Sequence, residues 1–365
     1  MRICKLEDLC LDIIDCPHIT PEWKTSGIPV IRNFNLKNGQ LDLTDAYYVD
    51  EETYLKRIAR AKPEAGDIII SREAPMGVVA IIPENFECCL GQRLVLLKVD
   101  KSKCNPYFLL YLLMSDFVQT QFKRANSTGS IVSNLCIPDL KNIKIPFVEN
   151  NQDHIVNLLK SLDDKILNNK RINNNLLQVA TTLFDYSFAK RNPNGTLGEI
   201  IEEKAKSTIQ VGDTEGVSGD YPFFTSGETI NEWQEYLVDG INCFLSTGGN
   251  ASIKVYDGKA SYSTDTWCIA GKGKYSAYLY FYLKSIIKSI NTSFFAGSGL
   301  KHLQKEALLS VNLYIPTIDE IDNFNKVVEP ILNKISHIYI ENKKLIKQRD
   351  FLLPLLMNGQ ATIED

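Results

Sequence analysis

The sequence predicts an α+β protein in which two similar globular domains are separated by two long antiparallel coiled-coil helices, an internal repeat of pseudo-two-fold character. Three observations predict it. The chain has 365 residues, more than one ordinary domain holds and suited to two. Hydrophobic residues make up 44% and charged residues 23%, the balance of a globular protein. Apolar strands, prolines and apolar helices recur in one order in both halves, and each set precedes a stretch with heptad-spaced apolar positions.

The first domain is expected over residues 1–150 and the second over 191–317. Gly27-Ile28-Pro29-Val30-Ile31 parallels Gly219-Asp220-Tyr221-Pro222-Phe223-Phe224. Gly66-Asp67-Ile68-Ile69-Ile70-Ser71 parallels Asn242-Cys243-Phe244-Leu245-Ser246, a short buried strand in each half. Tyr107-Phe108-Leu109-Leu110-Tyr111-Leu112 parallels Tyr278-Leu279-Tyr280-Phe281-Tyr282-Leu283, an apolar helix before a glycine loop, Thr128-Gly129 or Ser298-Gly299. Ile143-x-Ile145-Pro146 then matches Leu313-x-Ile315-Pro316 at the glycine loops' own offset of 170 positions; proline cannot continue a central strand, so each marks a strand's end. The polar loops between these features match poorly, and the intervals drift as loop insertions would make them.

Spacer helices are expected over 151–190 and 318–358, with a short tail at 359–365. The first has a seam of Ile155, Leu159, Leu162, Ile166, Asn169, Asn173, Leu176, Ala180 and Leu183. The second reads Phe324, Val328, Ile331, Ile335, Ile338, Asn342, Leu345, Arg349 and Leu352, 169 positions on. Steps of three and four are the coiled-coil signature. Asn173 and Asn342 fall at equivalent seam positions, where a polar side chain penalises wrong registers. Pro330 is expected to kink the second helix or to mark its first turn. About 38 residues of helix span roughly 57 Å, so the pair would act as a ruler between two similar heads.

Several function classes are disfavoured. Nine cysteines without C-x-x-C spacing indicate neither a zinc nor a redox site, and buried free thiols are expected. His18, His154, His302 and His337 do not cluster. No apolar run nears the ~18 residues of a membrane span, and Met1-Arg2-Ile3-Cys4-Lys5 opens no apolar signal core, so a cytoplasmic location is expected. No cofactor or metal is expected. Phe295-Ala296-Gly297-Ser298-Gly299 has the form of an amino-methyltransferase cofactor loop, but it follows a helical stretch, and no Pro-Pro occurs for the catalytic tetrapeptide. A loop offering backbone N–H groups to phosphate is the better reading.

These motifs in this order resemble the DNA-specificity subunit of type I restriction–modification systems. The resemblance covers essentially the whole chain. It rests on Gly27-Ile28-Pro29-Val30-Ile31-Arg32, on Gly66-Asp67-Ile68-Ile69-Ile70-Ser71-Arg72 with Gly77, on the repeated strand, proline and long helix, and on Phe351-Leu352-Leu353-Pro354-Leu355-Leu356-Met357-Asn358-Gly359. It implies that each arm is a target-recognition domain reading half of a bipartite, asymmetric double-stranded DNA site. It implies that the helices space the arms and dock two methyltransferase subunits, through which restriction and motor subunits join. Catalysis would then lie in the partners. Two departures stand out: Ser246-Thr247-Gly248-Gly249 offers no counterpart of Arg72, and Pro330 interrupts the second helix.

The residues singled out for DNA contact are Arg72, Arg93, Lys123, Arg124, Ser127 and Thr128 in the first arm, and Ser246, Thr247, Asn250, Lys254, Lys301 and His302 in the second. Arginine is the commonest reader of guanine in the major groove, and small polar loops hold phosphate. Lys343, Lys344, Lys347 and Arg349 are read as a helix face that meets a partner. The net charge of −4 argues for local basic surface and for partners that neutralise phosphate. Two other readings stay open: a scaffold that binds proteins rather than DNA, and a stand-alone DNA methyltransferase.

Overall fold

The computed structural model describes residues 2–73, 75–125, 134–149, 151–297, 299 and 301–361, which form two compact units. The first comprises Met1–Lys165 with Leu345–Asp365, and the second Ile166–Lys344.

The first unit runs β1 (Arg2–Lys5), β2 (Cys10–Asp15), β3 (Ile28–Ile31), a hairpin of β4 (Leu36–Lys37) and β5 (Gln40–Leu41), β6 (Tyr47–Val49) and α1 (Glu51–Arg57). It continues through β7 (Ile68–Ser71), β8 (Val79–Ile81), β9 (Cys89–Leu90), β10 (Leu94–Val99), α2 (Pro106–Met114), α3 (Asp116–Ala125), α4 (Ile137–Lys141) and β11 (Lys144–Phe147). The main sheet has the order β2-β10-β7-β8 and is antiparallel throughout. Its two central strands are continuous apolar runs because both faces are covered. Ile68 and Ile70 face the cluster around α2, while Ile69 and Leu96 face a second cluster with Cys88 and Leu90. Asn105 caps α2, its side chain accepting from the Tyr107 N–H at 2.9 Å, with Pro106 at the first helical position.

The second unit repeats this plan with β12 (Gly195–Thr196), α6 (Leu197–Ile200), β13 (Ile201–Glu203), β14 (Tyr221–Phe224), β15 (Ile230–Trp233), β16 (Ile241–Ser246) and β17 (Ile253–Asp257). Then come β18 (Ser261–Tyr262), β19 (Thr266–Gly271), α7 (Ser276–Ser285), α8 (Ile287–Ser293), β20 (Phe295–Ala296), β21 (His302–Leu303), α9 (Lys305–Leu309) and β22 (Asn312–Leu313). Its main sheet, β13-β19-β16-β17, is the counterpart of the first. The three-stranded sheets match as well: β6-β3-β9 and β15-β14-β18 each join one antiparallel and one parallel pair. The duplication therefore extends to strand order and direction.

The glycine ahead of the proline-bearing strands β3 and β14 has one physical cause in both units. A Cβ on Gly27 would lie 2.3 Å from the Val49 carbonyl oxygen, and one on Gly219 would lie 2.1 Å from that of Trp233. Only glycine lets the strand start so close to its neighbour's backbone. The proline that ends the apolar strand behaves differently in the two halves. Pro316 follows β22, but Pro146 lies inside β11. Among the described residues that strand has β1 as its one partner, so an edge position tolerates the missing N–H.

The long helices are α5 (Gln152–Phe188) and α10 (Ile318–Met357). Pro330 does not mark the first turn of α10: the helix begins twelve residues before it and continues through it. In the second unit, Ala180, Phe184 and Phe188 pack with Ile321, Phe324, Val328 and Leu332. In the first, Ile155, Val156 and Leu159 pack with Leu353, Leu356 and Met357. The buried seam thus runs one residue off the expected one in places: Asp163 replaces Leu162, Phe184 replaces Leu183, Leu332 replaces Ile331, and Leu353 replaces Leu352.

Polar residues also stand in this seam. Asn169 donates to both Asn342 Oδ1 and Glu341 Oε2 at 2.8 Å, so Asn169 faces Asn342. Asn173 instead reaches the Ile335 carbonyl at 3.5 Å, and its own Oδ1 is buried without a partner among the described residues. In the first unit Arg349 is not a solvated or partner-facing charge. Its Nη1 donates to Asp163 at 2.9 Å, while the Tyr111 hydroxyl donates to the other oxygen of that carboxylate at 2.7 Å. Seven cysteines are buried free thiols; Cys4 is half-buried and Cys136 is exposed.

Candidate nucleic-acid interface

Each unit has one corner where the ends of its two central strands meet a turn and a polar loop. In the first, Ser71 ends β7 and Leu94 begins β10, directly opposite. In the second, Ser246 ends β16 opposite Thr266 at the start of β19. Both serines close the loop that follows. Ser71 Oγ donates to the Pro75 carbonyl and accepts from the Val78 N–H; Ser246 Oγ donates to the Asn250 carbonyl and accepts from the Ser252 N–H.

The backbone around each serine repeats as well. The Arg72 N–H donates to the Arg93 carbonyl at 2.8 Å, and the Thr247 N–H to the Asp265 carbonyl at 3.2 Å. The Leu135 N–H donates to the Arg72 carbonyl, and the Leu303 N–H to that of Thr247, both at 3.0 Å. Finally, Gly91 donates to Ile31 and Ser263 to Phe224. Arg72 therefore does have a counterpart, Thr247, and Arg93 has one in Asp265.

The side chains on this shared frame differ. In the first unit, Arg32, Asn33, Gln92 and Arg93 join Trp23 and Phe34 around a cavity of about 340 Å³. The Arg32 guanidinium lies 3.5 Å from the Tyr47 ring centroid and 3.9 Å from that of Phe34, a cation–π sandwich. Arg32 Nε and Asn33 Oδ1 are buried with no hydrogen-bond partner among the described residues. Asn33 donates to the Glu73 carbonyl, and Glu73 Oε2 sits 3.1 Å from Arg93 Nε. Arg93 is exposed and adopts φ +65°, a left-handed conformation uncommon outside glycine and asparagine. The second unit offers Thr225, Ser226 and Asp265 at the matching places, and Ser226 Oγ donates to the Asp265 carbonyl. The Asp265 side chain is exposed.

Several residues expected at DNA are committed to the fold instead. Arg72 Nη1 reaches both carboxylate oxygens of Asp15, at 2.8 and 2.9 Å, and its Nε donates to the Leu135 carbonyl at 3.0 Å. Only 13% of that side chain is exposed. Ser246 is buried. Lys254 Nζ donates to the carbonyls of Thr225 and Gly227, and burial pulls its pKa down from the usual lysine value. Arg93, Lys123, Arg124, Asn250, Lys301 and His302 are exposed, and Thr247 is half-buried. Asn250, Lys301 and His302 gather near Thr247: Gly249 donates to the Lys301 carbonyl at 3.0 Å, and Gly248 bridges His302. Lys123 and Arg124 end α3. Ser127 and Thr128 lie outside the described residues.

Sequence reasoning missed Arg32, Asn33, Gln92 and Asp265. Only their places on the repeated frame reveal them. Among the described residues, no group of three or more His, Cys, Asp or Glu is placed to hold a metal ion, and no helix is long and apolar enough to cross a membrane.

Comparison with known proteins adds to this geometry. The family described as "Type I restriction modification DNA specificity domain" matches twice, over residues 3–178 and 192–348. The type I restriction enzyme MjaIX specificity subunit of Methanocaldococcus jannaschii is 24% identical over 345 residues, covering 82% of this chain and 78% of its own. A second relative from that organism, designated MjaX, is 25% identical over 382 residues, covering 93% of this chain and 88% of its own. The Escherichia coli type I restriction enzyme EcoDI specificity subunit is 26% identical over 173 residues, 46% of this chain and 38% of its own. Among solved structures, the type I restriction–modification S subunit from M. genitalium shares the fold with a TM-score of 0.61 at 18% identity, covering 97% of this chain and 95% of that one.

Proposed function

Since this chain belongs to the family of type I restriction–modification DNA-specificity proteins, we propose that it is a specificity subunit whose two arms each read one half of a bipartite, asymmetric DNA target. It is not itself an enzyme; methylation and cleavage belong to partner subunits. DNA and a methyltransferase are its partners. Two methyltransferase copies and a link through them to the restriction subunit complete the proposed assembly. The long helices are proposed as the docking element and as the spacer that sets the distance between half-sites.

One observation carries this reading. The family matches once over each half, and each half presents the same backbone corner with different side chains. A shared frame with divergent polar groups fits two readers of different sequence. Arg93, the Lys123–Arg124 pair, Ser127 and Thr128 are proposed to meet DNA in the first arm. Thr247, Asn250, Lys301 and His302 take that role in the second. Arg72, Ser246 and Lys254 support those loops from within. Phosphate contacts would position each arm and base contacts would specify it.

The test is to express the chain with its methyltransferase partner and map methylated sites across a genome. A two-part sequence with unlike halves is expected. Replacing residues 1–150 with the matching arm of a relative should change one half only. A methylation pattern indifferent to that exchange, with altered protein partners, would instead favour a scaffold.

A further inference from the structure

We propose that Arg93 and Asp265 are the paired specificity determinants of the two arms, reading opposite hydrogen-bonding groups at equivalent points of the two half-sites. Arg93 takes a guanine in one half. Asp265 takes an exocyclic amine, that of cytosine or adenine, in the other. This rests on the DNA-reading function proposed above and assigns it to two residues.

Equivalence is set by the backbone. Each residue is the acceptor of the N–H that follows the loop-closing serine, Arg72 in one unit and Thr247 in the other. Each immediately precedes the first residue of a central strand, Leu94 or Thr266. Both side chains are exposed. The frame holds them at one place, and only the sign of the charge changes.

The chemistry at each place is specific. The Arg93 guanidinium is steadied from one side by Glu73, which leaves its terminal nitrogens to donate. Arginine offers the parallel donors that match guanine O6 and N7. The residue is also held at φ +65°, where glycine or asparagine would sit without strain. An arginine kept in that conformation is there for its side chain. In the second unit, the Asp265 carboxylate has no hydrogen bond or ion pair among the described residues. A bare carboxylate beside DNA meets phosphate repulsion unless it accepts from a base amine, which is how Asp and Glu read cytosine. His302, on the strand reached through Thr247 and Leu303, and Lys301 just before it supply the cations that would hold the phosphates there.

The experiment maps methylated sites for the assembled complex carrying the natural chain, Arg93→Gly, Arg93→Lys or Asp265→Ala. Glycine suits the backbone at 93, and Asp265 makes no side-chain bond among the described residues that alanine would break, so melting of both variants should match the natural chain. Arg93→Gly should make one base pair of one half-site degenerate, lowering discrimination there roughly tenfold to a hundredfold, with the other half unchanged. Arg93→Lys should do the same, because a point charge lacks the paired donors. Asp265→Ala should relax one position of the other half. Unchanged methylated sequences, or a uniform fall in methylation without new degeneracy, would overturn the assignment. Retained specificity in Arg93→Lys would reduce Arg93 to a phosphate contact and also overturn it. If the natural complex methylates no fixed two-part sequence, the functional reading itself falls, and the assignment falls with it.

Discussion

Substituting Asp163 with alanine should destabilise the first unit by about 3–5 kcal/mol, the usual consequence of leaving half of a buried ion pair behind. The magnitude follows from what remains. The Arg349 side chain is 9% exposed, and its remaining carboxylate partner, Asp350, is 57% exposed and screened by water. The Tyr111 hydroxyl loses its acceptor as well, a loss of roughly 1–3 kcal/mol for a buried donor. The second unit suggests the repair. At the helix offset of 169, Asp163 corresponds to Leu332 and Arg349 to Ala180, both fully buried in one cluster. The triple change Asp163→Leu, Arg349→Ala and Tyr111→Phe should therefore regain most of the loss, since apolar replacement of a whole buried pair is often neutral. Hydrogen exchange read by mass spectrometry suits the measurement, because it follows each unit separately where a single melting curve would blend them. A loss below about 1 kcal/mol for Asp163→Ala, or a triple variant no better than the single one, would refute the reasoning.

Asn169→Leu alone should destabilise the second unit by about 1–3 kcal/mol by removing the donor to Asn342 Oδ1, and hydrogen exchange with Asn342→Leu added should show partial recovery. Gly219→Ala should cost about 1–3 kcal/mol, read from the midpoint of urea unfolding, because its Cβ would meet the Trp233 carbonyl. Alkylation at pH 7.5 followed by peptide mass mapping should modify Cys136 first. Burial pushes the thiols of Cys10, Cys88, Cys104 and Cys268 up to about 12, so they should react last. Glu320 caps the start of α10, and the Thr317 N–H holds its carboxyl below the ordinary value of 4.5. A lowered acid adds stability that is present above 4.5 and lost as pH falls through the lower folded value. Stability measured from pH 6 downwards should therefore fall more steeply for the natural chain than for Glu320→Ala.

What could be read before the fold was known depended on hydrophobic pattern. The central strands Ile68–Ser71 and Ile241–Ser246, the buried helices from Pro106 and Ser276, and the long helices all announce themselves by runs and periods. Side-chain commitments do not. Arg72 and Arg93 look alike in sequence, yet Arg72 meets Asp15, 57 positions away, while Arg93 stays exposed. Arg349 reads in sequence as part of a face that meets a partner, when it is the buried partner of Asp163. Asp265 escaped notice because acidic residues are not sought at a DNA surface. Only the repeated hydrogen bonds beside Thr247 and Arg72 put it level with Arg93.

The division of the chain into units has a consequence for synthesis. The second unit is one contiguous stretch, Ile166–Lys344, and has everything it needs once that stretch has left the ribosome. The first unit, although begun first, is completed last: Leu353, Leu356 and Met357 fill the same core as Leu6, Leu9 and Ile13. Until those residues emerge, the nascent first arm carries an open apolar groove beside Leu159, a surface for chaperones to cover. A late nonsense mutation, at or just after Leu345, would therefore spare the arm encoded second and unravel the one encoded first.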